Sequence, residues 1–139
     1  MKSFISAALF ASAYAQIIDG DGHKTIQEIC VENGFKYEEH TVVTEDGYIL
    51  TVFRIPGMEG ETISDSPKPV VFMQHGLMDA ADAWVMNWAD VAPAFVTSRA
   101  GYDVWLGNTR GNTYSRAHVS LDPDRNKRQF WAYDFEQMG

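Results

Sequence analysis

The feature that most constrains this chain is a run of four apolar residues, Val70-Val71-Phe72-Met73, closed by Gln74-His75-Gly76. A half-exposed strand alternates apolar and polar side chains. This run does not alternate, which predicts a strand buried on both faces, as in a parallel sheet. Further on, Pro93 suits the first turn of a helix that runs to about Arg99, with Gly101 as its cap. Residues 102–106 then read as the next strand. Strand, helix and strand in that order predict a parallel pair joined by a right-handed crossover. The fold class is therefore α/β.

The flanking segments fit that core. Thr25-Ile26-Gln27-Glu28 has the spacing of a capping box, in which Thr25 caps the helix and Glu28 reaches back. Ile26, Ile29 and Cys30 then share one helical face, and Gly34 closes a short amphipathic helix over residues 25–33. A hairpin follows, with strands over 39–44 and 48–55. Its turn is Glu45-Asp46-Gly47, since Asp-Gly supplies the positive φ of a tight turn. Residues 56–69 are a connection rich in Pro and charge. Residues 80–87 are helical or a structured loop, residues 107–124 are irregular, and residues 128–138 read as a helix carrying Phe130, Trp131, Phe135 and Met138.

The first fifteen residues stand apart. Lys2 precedes a mostly apolar stretch from Phe4 to Phe10, and Ala13-Tyr14-Ala15 places small residues where a signal peptidase reads. This predicts a signal peptide over 1–15, a remaining domain over 16–139, and a protein of the secretory pathway. The apolar stretch is shorter than the about 20 residues a bilayer span needs, and no other segment could span one. Removing the segment takes away Lys2 and moves the net charge from −8 to −9. That balance argues against nucleic acid as a partner and against electrostatic docking on anionic lipid. Cys30 is the sole cysteine and falls on the apolar helix face, so it reads as a small buried hydrophobe. No His/Cys cluster has the spacing of a zinc site.

The chemistry should lie at Gln74-His75-Gly76-Leu77-Met78, because ligands of open α/β sheets bind beyond the C-terminal ends of the strands. Glycine lets the backbone turn sharply and present an amide outward. A free N–H there can stabilise the oxyanion formed when an ester carbonyl is attacked, and one such donor is worth about 3–4 kcal/mol. Read alone, His-Gly is weak evidence and suits a strand-ending turn with a satisfied histidine better than a functional site.

A second segment sharpens the choice. Gly101-Tyr102-Asp103-Val104-Trp105-Leu106-Gly107-Asn108-Thr109-Arg110-Gly111-Asn112-Thr113, taken with Phe72-Met73-Gln74-His75-Gly76-Leu77 and Thr44-Glu45-Asp46-Gly47-Tyr48-Ile49-Leu50, closely resembles the acid lipases, which include gastric and lysosomal acid lipases and related cholesteryl ester hydrolases. Phe130-Trp131-Ala132-Tyr133-Asp134-Phe135-Glu136-Gln137-Met138 resembles that family's next helix, so the likeness runs from about His23 to Met138. The resemblance implies the N-terminal part of an α/β-hydrolase fold, neutral lipid esters as substrates, a Ser-His-Asp triad and no cofactor or metal. It implies that the backbone N–H of Leu77 forms half of an oxyanion hole, with His75 and Gly76 shaping the turn.

The family's nucleophile sits in Gly-x-Ser-x-Gly, and this chain contains no such pentapeptide. Ser64, Ser66, Ser98, Ser115 and Ser120 all lack that setting, and the triad order of Ser, Asp, His places all three members beyond Gly139. No triad residue is therefore assigned, and the chain is expected to be inactive alone. His23, His40 and His118 read as surface or packing residues. Asp79 and Asp82 read as solvated loop charges, and Asp103, near the Arg110 loop, as a structural ion pair or turn contact. Trp84 and Trp88 could line a lipid-facing surface, but their spacing more often marks core. Two functions remain open: part of a fatty-acyl ester hydrolase, or a non-catalytic secreted module that binds lipid or a partner. Without a neighbouring strand, residues 70–73 would form an exposed apolar edge prone to self-association.

Overall fold

The computed structural model describes residues 21–62 and 67–138. The expected signal peptide, residues 1–15, lies outside the described residues. Helix α1, Ile26–Glu32, begins as its capping box requires: the Thr25 hydroxyl accepts from Glu28 N–H at 3.2 Å, and the Glu28 carboxylate accepts from Thr25 N–H at 2.7 Å. Both bonds satisfy amide donors that a helix start otherwise leaves open. Gly34, at φ 75°, ends the helix in the left-handed region. Ile26, Ile29 and Cys30 are buried, and burial pushes the Cys30 thiol up to about 12, so it is a packing residue and not a nucleophile.

Strands β1, Glu38–Val43, and β2, Tyr48–Ile55, form the hairpin, with Gly47 at φ 95° in its turn. Strand β3, Val70–Gln74, is followed by a single 3-10 turn at Ala81–Trp84 and by helix α2, Pro93–Arg99, with Pro93 in its first turn. Strand β4, Asp103–Gly107, then runs parallel to β3 and antiparallel to β2. A two-residue strand β5, Ala117–His118, pairs with the start of β2. The sheet order is β1-β2-β4-β3, an open mixed sheet. Its inner strand β4 is buried along nearly its whole length. The core lies between the sheet and the two helices, where Phe35 and Phe95 stack at 4.4 Å beside Ile29, Phe53, Ile55, Val104 and Leu106. Each such side chain contributes roughly 1.5–3 kcal/mol by leaving water.

Two expectations need correction. Strand β3 is not buried on both faces: Val70 is 63% and Phe72 59% exposed, while Val71 and Met73 are half-buried. The reason is topological, since β3 is the outer strand of the described sheet and pairs only with β4. The continuous helix expected over residues 128–138 is also absent. A short helix α3, Lys127–Phe130, stops at Trp131, and a separate 3-10 turn covers Glu136–Met138. Tyr133 breaks the run because its hydroxyl donates to the Arg110 carbonyl at 3.1 Å and its ring faces the Tyr48 ring at 5.5 Å. The Asp134 carboxylate then takes the amides of Glu136 and Gln137, a local bond that competes with the helix ladder. Phe130 is buried whereas Phe135 is exposed, so the apolar residues never shared one packed face.

Candidate active site

The chain leaves the sheet at Gln74 and turns through His75, Gly76, Leu77 and Met78 at the C-terminal end of β3. Met78 holds φ at 63°, unusual for a residue with a Cβ, and Asp79 N–H closes the turn on the Gly76 carbonyl at 3.3 Å. The Leu77 side chain is 72% exposed. Among the described residues, no protein acceptor takes the Leu77 N–H.

His75, in contrast, is buried and fully engaged. Its Nδ1 lies 2.7 Å from the Gly76 carbonyl oxygen, and its Nε2 accepts from Thr109 N–H at 3.1 Å with the Asn112 side-chain amide at 3.2 Å. Behind it stand two asparagines that the sequence reading did not single out. Buried Asn108 accepts from Ala81 N–H at 3.0 Å and from Asn112 Nδ2 at 2.8 Å, and it donates to the Thr51 carbonyl at 3.0 Å. Asn112 accepts from the amides of Tyr114 and Ser115, both at 3.0 Å. Ser115 is buried and its Oγ accepts from Thr51 N–H at 3.0 Å. The signal for these roles was in the sequence: Gly107-Asn108-Thr109-Arg110-Gly111-Asn112 is a polar run directly after a buried strand. Such a run must find partners for its amides or face water.

The other ionisable groups sit elsewhere. Asp79 bonds its neighbour's amide at Ala80, and Asp82 faces the Tyr114 hydroxyl at 3.4 Å, so they form no acid–base pair. Asp103 is the structural ion pair expected of it, but its partner is Arg54 and not the Arg110 loop: two bonds of 2.8 Å join the guanidinium and carboxylate. Arg110 instead pairs with Asp46 and lies over the Tyr48 ring at 4.4 Å. His40 pairs with Glu38 at 2.9 Å. The Ser120 hydroxyl approaches His118 Nδ1 at 3.4 Å, yet that nitrogen already accepts from the amides of Ser120 and Leu121 at 3.0 and 3.1 Å. The His118 ring is thus held by the backbone of its own loop. Trp84 packs against the core and Trp88 is exposed, so the pair divides between the two readings. Among the described residues, no group of three His, Cys, Asp or Glu could hold a metal, and no helix is long and apolar enough to cross a membrane.

A family model described as a partial alpha/beta-hydrolase lipase region matches residues 26–88. Mouse lipase member K is 43% identical over 122 residues, covering 88% of this chain and 30% of that protein. Human lysosomal acid lipase/cholesteryl ester hydrolase is 43% identical over 121 residues, covering 87% of this chain and 30% of that protein. Rat gastric triacylglycerol lipase is 43% identical over 118 residues, covering 85% and 29%. The chain thus spans about three tenths of the length of the curated relatives it matches. With an open mixed sheet and this extent of identity, the chain carries a partial alpha/beta-hydrolase lipase region and is similar over most of its length to the gastric and lysosomal acid lipases.

Proposed function

We propose that the turn after β3 supplies one oxyanion donor, the Leu77 N–H, to a site that hydrolyses fatty-acyl esters. Triacylglycerols and sterol esters are the substrate classes that the printed names of the gastric and lysosomal relatives suggest. The observation that carries the reading is the Leu77 amide, which has no protein acceptor among the described residues and lies in a turn held by the His75 ring and by the bond from Asp79 N–H to the Gly76 carbonyl. A donor left open and held in place is what stabilises charge developing on a substrate oxygen. The nucleophile and its two partners would come from sequence other than these 139 residues, which hold no Gly-x-Ser-x-Gly. The signal-like residues 1–15 support delivery through the secretory pathway. The open edge of β3 supports self-association wherever no other strand covers it.

The test is hydrolysis of a fluorogenic fatty-acyl ester. The 139-residue chain should show no turnover above background. The same sequence joined to a nucleophile-bearing continuation read from its own transcript should turn over. In that active form Leu77→Pro, which deletes the N–H, should lower kcat about 10²-fold. Turnover by the 139 residues alone, or an unchanged kcat in Leu77→Pro, would sink the assignment.

A further inference from the structure

The peptide joining Gly76 and Leu77 is a rigid plane whose C=O and N–H point in opposite directions. Whatever holds the Gly76 carbonyl therefore aims the Leu77 N–H. His75 Nδ1 stands 2.7 Å from that oxygen, and Asp79 N–H reaches it at 3.3 Å. The role of Nδ1 is set at the far side of the ring. There Nε2 faces the Thr109 backbone N–H, which can only donate, so Nε2 is the bare nitrogen and the proton sits on Nδ1. The Asn112 side chain enforces the same choice. Its Oδ1 is held by the amides of Tyr114 and Ser115, so its Nδ2 is the end turned toward His75 Nε2 at 3.2 Å and Asn108 Oδ1 at 2.8 Å. Asn108 is fixed in turn by Ala81 N–H. One ordered series of donors thus runs from the 114–115 amides through Asn112 and His75 to the Gly76 carbonyl.

We propose that His75 and Asn112 are positioning residues, which lock the Nδ1–H tautomer and so aim the Leu77 N–H outward as an oxyanion donor. The bond accepted by the Gly76 oxygen also polarises the shared peptide and makes its N–H a stronger donor. This rests on the ester-hydrolase reading above.

Two readouts keep the failure of the lock distinct from the failure of that reading. The first is the ring tautomer, read by long-range proton–nitrogen NMR on the protein labelled at histidine. Nδ1–H is expected in the native protein. Asn112→Asp keeps the acceptor for Tyr114 and Ser115 but places an acceptor where the donor was, so its ring should move toward Nε2–H. The second is turnover in the hydrolysing form. His75→Asn retains a donor near the Nδ1 position and should stay within about threefold of native kcat. His75→Gln reaches the Nε2 position only and should lose about tenfold in kcat with KM little changed, less than deleting the donor outright. A native Nε2–H ring, or equal kcat in His75→Asn and His75→Gln alongside a native Nδ1–H ring, overturns the proposal. In the first case the lock is absent. In the second the tautomer is locked but does not aim the donor, and a kcat still lowered in Leu77→Pro keeps the ester-hydrolase reading standing.

Discussion

The two ends of one sheet are built from different chemistry. At the end where β3 and β4 begin, charge meets charge. Arg54 forks onto Asp103 and reaches Glu38 at 3.0 Å, while Lys68 meets Glu61 at 2.6 Å. A cleft of about 440 Å³ opens there, lined by Lys36, Glu38, Arg54, Lys68 and Asp103 among others; Arg54 is paired with Glu38 and Asp103, Lys68 with Glu61, and Lys36 donates to the Glu61 carbonyl. At the opposite end, neutral amides and one imidazole hold the turn, and the Leu77 N–H has no protein acceptor among the described residues. Ion pairs of this kind bind strands together and leave their charges largely committed to one another. A neutral network leaves no strong field to compete with a developing oxyanion, and it can hold one donor open at little cost in desolvation. The cleft thus lies at the charged end, whereas the turn proposed as the site lies at the neutral one.

The sharpest way to break the comparison is Arg54→Met. It leaves the largely buried Asp103 carboxylate without its partner and should cost about 2–4 kcal/mol in urea unfolding at pH 7. Asn108→Ala comes next. It strips partners from the Ala81 N–H and the Thr51 carbonyl, for a loss of about 1–3 kcal/mol that should not vary with pH. If Asn108→Ala proved as pH-dependent as Arg54→Met, the division into charged and neutral ends would fail.

Acid titration sharpens it further. The Arg54 guanidinium holds the Asp103 carboxyl below the usual carboxylate range, so the folded value lies below the unfolded one. The stability this provides is whole above about pH 4 and is lost as pH falls through the depressed folded value. Asp103→Asn should therefore be less stable than the native protein at pH 7 and converge with it in acid, as read from paired denaturation curves. The smallest effect is expected at Met78. Glycine accepts φ 63° without the crowding a Cβ brings, so Met78→Gly should stabilise by about 0.5 kcal/mol or less, with the gain partly offset by a freer unfolded chain. A clear loss in its melting temperature would show that the exposed side chain has a contact the turn depends on.

Much of this protein was decided locally and could be read from residue order. The Thr25–Glu28 cap, the Asp46-Gly47 turn, Pro93 at a helix start and the parallel pairing of residues 70–73 with the strand near 102–106 all depend on neighbours a few residues apart or on strongly apolar runs. The candidate turn at His75-Gly76-Leu77 was legible for the same reason, since it follows a buried-type strand directly. Tertiary structure alone decided the rest. It gave Asp103 to Arg54 across 49 positions and placed Asn112 on His75 across 37. It drew Tyr133 out of a would-be helix onto Arg110, and it left β3 as an outer strand. Hydrogen bonds and ion pairs between distant segments depend on which strands become neighbours, and no local periodicity carries that information.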